Sequence, residues 1–344
     1  MPEPVRDPAD VLLIVSIDTE EDNWYRSRHE VTVENIREFG PLGAFFRRLG
    51  VRPTYFTTYH VARDQRAADM LREVCDGGAG EIAAHLHPWN TPPLLEPFVP
   101  RNSMLKNLPV DLQLAKLRHL TTTLEDAFAF TPRVFRAGRY GLGRDTVAAL
   151  ACCDYAVDSS VSPFTNLEAF DDGPIFDGAP LTPYRLAPDR DVTEPAPNGP
   201  VLEIPLSSGF SRGPFSLWDP ARRMLEAAPL RWLHLAGLAE HAGVVKRLVL
   251  CPELASVSDM LTLSSRLLEH GVRHLHMSWH SPSLKPGLSP FSATAADVAR
   301  LYASVEAYLD GLSRITPVTL VTVSEAAALL GDGIPTPVVL TQHR

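Results

Sequence analysis

The hydrophobic pattern of the chain begins with an unbroken apolar run, Val11-Leu12-Leu13-Ile14-Val15, which resumes at Ile17 and stops at Asp18, Glu20, Glu21 and Asp22. A run without alternation predicts a strand buried on both faces, and the polar end of such a strand is where parallel α/β folds carry their chemistry. Side chains alternate along a strand, so Asp18 and Glu20 are expected on one side, with Asp22 joining them if the extended geometry persists. Two neighbouring carboxylates suit a metal ligand beside a general base. An acidic loop capping the following helix is the competing reading of the same residues.

Downstream, helical periods and β-prone runs alternate. Val33 to Leu49 carries apolar residues at helical intervals, with Gly50 as a stop and Gly40-Pro41 as a point of interruption. Thr54 to Thr58 reads as a strand, Ala67 to Cys75 as a helix, and Glu81 to Ala84 as a short strand leading into His85-Leu86-His87. The helix Asp111 to Phe128, the strand Arg133 to Arg136, the helix Asp145 to Ala151 and the strand Tyr155 to Asp158 continue the alternation. Val201 to Pro205, Arg247 to Cys251, Val272 to Trp279 and Val318 to Val321 read as further strands. Helices are expected near 220–227, 229–242, 258–269 and 295–312, with a short one from Ser324. Right-handed crossovers turn such alternation into a parallel sheet or barrel with functional groups at the C-terminal ends of its strands. One domain over 1–344 is expected, with excursions near 88–109, 159–200 and 213–245, the first two being candidate substrate loops.

Composition narrows the class of partner. Lys and Arg number 32 against 41 Asp and Glu, a net charge of −9 without long runs, which argues against a nucleic-acid footprint or a polybasic membrane anchor. A small-molecule or glycoconjugate substrate fits better; the oligomeric state is left open. Cys75, Cys152, Cys153 and Cys251 form no CxxC pair, as expected of reduced thiols. The N-terminal residues lack an apolar signal core, and no run approaches the roughly 20 apolar residues that span a bilayer. A cytoplasmic location is the resulting expectation.

The candidate chemistry lies at the ends of the predicted strands. His85 and His87 share a face if the strand continues, and two histidines with one carboxylate complete a facial metal site that leaves a position open for water. In His274-Leu275-His276-Met277-Ser278-Trp279-His280 the histidines and Ser278 occupy one side of a strand and Leu275, Met277 and Trp279 the other. His280, at the exit, is placed to donate a proton, whereas His274 and His276 read as satisfied core histidines. Arg136 ends its strand where a guanidinium can orient Asp18 through paired hydrogen bonds, an ordinary salt bridge being the alternative. Asp158-Ser159-Ser160 also ends a strand, and reads equally as a substrate contact or as a turn.

Taken together, these residues resemble the NodB-type polysaccharide deacetylases, carbohydrate esterase family 4, with the WalW-like proteins the nearest subgroup. The five motif stations of that family stand in order from Asp18 to His280: Ile17-Asp18-Thr19-Glu20, Ala84-His85-Leu86-His87, Phe135-Arg136-Ala137-Gly138, Asp158-Ser159-Ser160 and Ser278-Trp279-His280. The resemblance implies a distorted (β/α)7 barrel and a divalent metal, usually zinc, with cobalt, manganese or nickel as alternatives. It makes Asp18 the base, Glu20, His85 and His87 the metal ligands, Arg136 the partner of Asp18, and His280 the acid. Trp89, Arg139, Tyr140, Asp158 and Trp279 are the expected substrate contacts. Two features depart from the family pattern. Its metal histidines are commonly four apart, but Trp89 stands four beyond His85, and its carboxylate ligand is usually aspartate, where this chain has Glu20 with Asp22 as a competitor.

The activity so implied is metal-assisted removal of an N-acetyl group from an amino sugar or glycoconjugate. Hydrolysis of a cyclic amide or formamide on the same site is the second enzyme reading. A sugar-binding protein with a degenerate site is the non-catalytic one, because fold alone does not fix function.

Overall fold

The computed structural model describes residues 10–22, 30–226 and 245–331. Strand β1, Val11–Thr19, is flanked by two partners along its length. It pairs in parallel with His274–His280 (β10) and with Thr54–Thr57 (β2), while Val318–Val321 (β11) pairs with its first half. From β2 the sheet passes to Glu81–Leu86 (β3), Val134–Ala137 (β4), Val157–Asp158 (β5) and Val201–Glu203 (β7), all parallel. Tyr184–Leu186 (β6) adds an antiparallel edge beside β7, in a nine-stranded sheet.

The sheet curls until the chain that follows β7, Pro205 to Ser207, meets β10. There the closure is made by irregular chain: the Ser207 amide donates to the His276 carbonyl at 3.3 Å, and the Ser278 amide to the Leu250 carbonyl at 3.1 Å. This is the distorted α/β barrel that the motif order implied. One expected strand differs in its role: Arg247–Val249 (β9) pairs antiparallel with Ser208–Phe210 (β8) in a separate two-stranded sheet. The helices are Phe39–Leu49 (α1), Tyr59–Arg63 (α2), Gln65–Cys75 (α3), Val110–Phe128 (α4), Arg144–Cys152 (α5), Phe215–Glu226 (α6), Val257–Glu269 (α7), Ala295–Ser313 (α8) and Val323–Leu330 (α9). The helix expected over 229–242 lies outside the described residues.

Gly40 and Pro41 do not interrupt α1. They fall in its first turn, where proline's missing N–H has no intrahelical partner to lose. The helix stops at Gly50, whose φ of 69° is the left-handed conformation that costs glycine least.

Parity along β1 organises the core. Val11, Leu13, Val15 and Ile17 face outward and pack with α1, α7 and α8 through Phe46, Met260 and Tyr308, joined by Leu275, Met277 and Trp279 of β10. Leu12 and Ile14 face inward and pack with Phe56, Ala83, Val134, Val157 and Leu202, and with Val323, Ala326 and Ala327 of α9. The inward face of β1 therefore runs from apolar at Leu12 and Ile14 to polar at Ser16 and Asp18. Register sets the same level on the neighbouring strands, with Asp18 beside His280 and Phe56, and His85 beside Arg136. Leu13 is fully buried. Leu13→Ala is expected to lower unfolding free energy by about 2–5 kcal/mol in a denaturant titration.

No helix among the described residues is long and apolar enough to cross a membrane.

Candidate active site

Asp18 stands last on the inward face of β1, and Arg136 of β4 reaches it across the barrel mouth with Nη1 at 2.5 Å from Oδ1. The guanidinium is itself held on every side. Its Nε donates to the Ser159 carbonyl at 2.9 Å and its Nη1 also to Ser278 Oγ at 2.9 Å, while Nη2 reaches His276 Nε2 at 3.1 Å. It stacks over the Phe56 ring with 3.9 Å from guanidinium carbon to centroid. Because arginine only donates, His276 Nε2 must present a lone pair, and burial together with Arg136 keeps that imidazole neutral. Burial alone would raise the Asp18 carboxyl, but Arg136, His85 and His280 more than offset it and hold it well below the ordinary range. Asp18 is therefore an anion with Oδ1 occupied and Oδ2 facing His85 Nε2 at 3.9 Å and His280 Nε2 at 4.0 Å.

Glu20, His85 and His87 converge beside it, all buried, with one donor atom from each within 4.8 Å of the others. Glu20 Oε2 lies 3.2 Å from His87 Nε2 and 3.8 Å from His85 Nε2, and the two Nε2 atoms are 3.1 Å apart. The other ring nitrogens fix the tautomers. His85 Nδ1 is 2.9 Å from the Arg136 carbonyl, which only accepts, and His87 Nδ1 is 2.6 Å from the Glu21 carboxylate. Both Nδ1 atoms thus carry hydrogen. Burial disfavours the His87 imidazolium, but the Glu21 and Glu20 carboxylates outweigh it and raise His87 to about 10, so its Nε2 also holds a proton, shared with Glu20 and the lone pair of His85 Nε2, which a divalent cation would displace. Three buried lone-pair donors aimed at one point, with the outer imidazole nitrogens bonded to a carbonyl and a carboxylate, is the donor chemistry of a divalent cation site. Burial pushes the Glu20 carboxyl up, against the opposing pull of His87 and His280.

His280 completes the mouth. Its Nδ1 donates to Glu253 Oε2 at 2.8 Å, and its backbone amide approaches Glu253 Oε1 at 3.3 Å. Ser283 holds the same carboxylate with its hydroxyl and accepts from Ser289 at 2.8 Å. Burial disfavours the imidazolium, but Glu253, Glu20 and Asp18 outweigh it and raise His280 to about 10. The group is a charged donor at neutral pH.

The remaining expectations divide. Asp22 is not a ligand competitor: its carboxylate accepts from Thr32 Oγ1 at 2.7 Å and from the Glu34 and Asn35 amides at 2.7 and 2.9 Å, anchoring the short helix Glu34–Glu38. The helix-capping reading of the acidic run therefore holds for Asp22. Trp279 is buried in the outer core against Phe46, on the face of β10 opposite His280, so parity removes it from the substrate contacts. Trp89 is buried as well and stacks on His87 at 4.1 Å and 20°, backing a candidate ligand instead of lining an open groove. Asp158 is fully buried, bonded to the Ser160 amide and hydroxyl at 2.9 and 2.8 Å. It faces Glu203 across β7, where burial and Asp158 keep the Glu203 carboxyl protonated. Arg139 bonds Ser103 Oγ and pairs with Asp171 at 3.1 Å, tying together the two long excursions.

Tyr140 alone of the five combines exposure with nearness to the site. It and Arg139 hold left-handed backbone, φ 59° and 53°, a costly conformation for side-chain-bearing residues and one that marks functional loops. The residue is 37% exposed, while burial of the hydroxyl, with Cys251 and Asp18 nearby, raises it to about 12. It remains a neutral hydroxyl. Glu21, Glu253, His276, Ser159 and Ser278 also touch the candidate site, though sequence reasoning gave none of them a role there; of these, only Glu253 lay outside the stretches quoted.

No family model matches the sequence, and no curated protein matches it. Solved structures do. A protein from Mycobacterium smegmatis, provisionally described as a polysaccharide deacetylase, superposes with TM-score 0.50 at 17% identity, over 95% of this chain and 93% of its own. A protein from Parabacteroides distasonis, provisionally described as a glycoside hydrolase/deacetylase, superposes with TM-score 0.59 at 14% identity, over 95% of this chain and 72% of its own. At such identities the likeness is one of fold, and the fold is the polysaccharide deacetylase barrel that the motif order implied.

Proposed function

We propose that the chain is a divalent-metal-dependent amide hydrolase that removes an N-acetyl group from an amino sugar or glycoconjugate, releasing acetate and a free amine. The observation that carries this reading is the position of Asp18 Oδ2, between the lone-pair cluster of Glu20, His85 and His87 and the charged donor His280. A hydrolase of an unactivated amide needs an acceptor for the proton of water and a donor for the departing nitrogen, and these two groups supply both.

A divalent cation, zinc being the best match to two imidazoles and a carboxylate, would be held by Glu20, His85 and His87 and would supply Lewis acidity toward water and the amide carbonyl. Asp18, anionic and clamped through Oδ1, offers Oδ2 to the proton of the attacking water. Arg136 keeps that carboxylate in one orientation and suppresses its protonation. His280 delivers the Nε2 proton to the nitrogen as the carbon–nitrogen bond breaks. Glu253, bonded at Nδ1, stabilises the imidazolium so that the Nε2 proton stays on the ring until then. The Tyr140 hydroxyl is a neutral donor at the rim, suited to a polar group of the substrate.

Acetate release should be assayed with zinc, cobalt, manganese and nickel on a panel of N-acetylated amino sugars, free, nucleotide-linked and polymeric, with cyclic amides and formamides alongside. Acetate from at least one amino sugar is the expected result. Turnover confined to the other amides would replace the N-acetyl assignment.

Glu253→Gln tests the acid. Removing the opposite charge lowers the His280 pKa by about 1–3 units, so its proton is lost at lower pH. The alkaline limb of kcat/KM, expected near pH 10 in the wild type, moves toward neutrality. At pH 7 the variant should stay within a few-fold of wild type, and at pH 9 it should fall by about tenfold. An unmoved alkaline limb would separate His280 from that titration.

A further inference from the structure

We infer that Glu21 is the positioning residue that lets two histidines only two apart act as a chelating pair, by fixing the His87 ring from outside the ligand set. The inference rests on the reading of Glu20, His85 and His87 as a metal site.

Residues two apart on a strand point the same way, but their Cα atoms are about 6.6 Å apart, so side chains left to the strand's own geometry stand side by side. Here the two Nε2 atoms approach to 3.1 Å with the rings inclined at 68°. One ring must tilt toward the other. His85 cannot supply the tilt, because it lies within the β3–β4 ladder and its Nδ1 is bonded to the carbonyl of its register partner, Arg136. His87 lies one residue beyond the end of β3 at Leu86, where side chains rather than the ladder set the ring.

Three features form the mould for that ring. Trp89 stacks on one face at 4.1 Å. Gly138 leaves the edge clear: a Cβ there would overlap His87 Cδ2 and stand 2.8 Å from the Leu86 carbonyl oxygen. Glu21 fixes the remaining freedom, rotation of the ring in that slot, by accepting the Nδ1 hydrogen at 2.6 Å.

Glu21 is suited to this and not to ligation. It is fully buried, and its oxygens are already engaged, Oε1 also by the Asn90 side-chain amide and Oε2 by Thr58 Oγ1 at 3.1 Å. A carboxylate with that many donors does not swing toward Glu20. It keeps hydrogen on Nδ1, so a cation that displaces the other ring proton meets the Nε2 lone pair, and the Glu21 charge makes that lone pair a stronger donor. Without it the neutral ring is free to take the other tautomer and donate from Nε2 to Glu20, leaving two ligands where there were three.

The test is the affinity of the full chain for Zn2+, measured by competition with a chromophoric chelator at fixed pH, together with 15N signals of the His87 ring in the zinc-loaded protein. Glu21→Gln keeps the size of the side chain and the contacts with Asn90 and Thr58 within reach, and thermal unfolding of the metal-free form controls for folding. It is expected to weaken zinc binding by about 10–100-fold. Gly138→Ala, which leaves Glu21 intact but closes the slot, should also weaken it. The wild-type His87 ring should report hydrogen on Nδ1 with zinc on Nε2. A folded Glu21→Gln protein that binds Zn2+ as tightly as wild type overturns the inference while leaving the metal site standing. A wild type that binds no Zn2+ overturns both.

Discussion

Asp18→Asn is expected to lower kcat for acetate release by about 10^3-fold, within the range of about 10^2–10^4 that positioned proton transfer contributes. The substitution keeps the size of the side chain and leaves an amide oxygen to accept from Arg136 Nη1, so the clamp at 2.5 Å has a counterpart in the variant. What is removed is the acceptor at Oδ2. Because Glu20, His85 and His87 are untouched, metal content should match wild type and KM should change little. That combination distinguishes a lost base from a lost site. A folded, metal-bearing Asn variant with wild-type kcat would remove Asp18 from the role and leave the proton of water without an acceptor among the residues named here.

The second large effect is expected from His85→Ala/His87→Ala. Two of the three converging donors disappear, and one carboxylate does not retain a divalent cation at micromolar concentrations against water. Activity should drop to the background of the assay at every metal concentration tested, in contrast to Asp18→Asn, whose metal survives. Both rings are nearly fully buried, and their loss leaves the Arg136 carbonyl and the Glu21 carboxylate each short of a donor. A stability cost of about 1–3 kcal/mol per orphaned group is expected. The single variant His87→Gln, which keeps a polar side chain in the slot, should lose metal with a smaller change in thermal unfolding. Full activity in either variant would mean that the reacting centre lies elsewhere.

Much of the barrel was legible because its strands are short apolar runs with helical periods between them, and β1 shows why. The alternation of Leu12, Ile14, Ser16 and Asp18 against Val11, Leu13, Val15 and Ile17 contains both the inner lining and the outer core. The same parity puts His280 and Ser278 inward and Trp279 outward, so Trp279, although it adjoins His280 in sequence, packs against Phe46 in the outer core and not toward a substrate. Asp22 failed for a related reason: β1 ends at Thr19, after which the two-residue alternation no longer holds and the chain turns to anchor the next helix. The break in alternation is also what frees Glu21 to reach His87, which strand parity would have pointed away from Glu20.

Glu253 left no signal at all. It lies in an irregular stretch after β9, and its link to His280 spans 27 residues through a fold contact that no local pattern encodes. The short elements β6, β8 and α2 escaped for the same reason, since three to five residues carry too little periodicity to separate them from loop.

The most direct test of the account is the metal content of the purified wild-type chain by elemental mass spectrometry, after reconstitution with zinc, cobalt and manganese and removal of excess. The account predicts about one ion per chain, lost in the His85→Ala/His87→Ala protein. A wild-type chain that holds no ion under any of these conditions would contradict it, and with it the hydrolytic reading of Asp18 and His280.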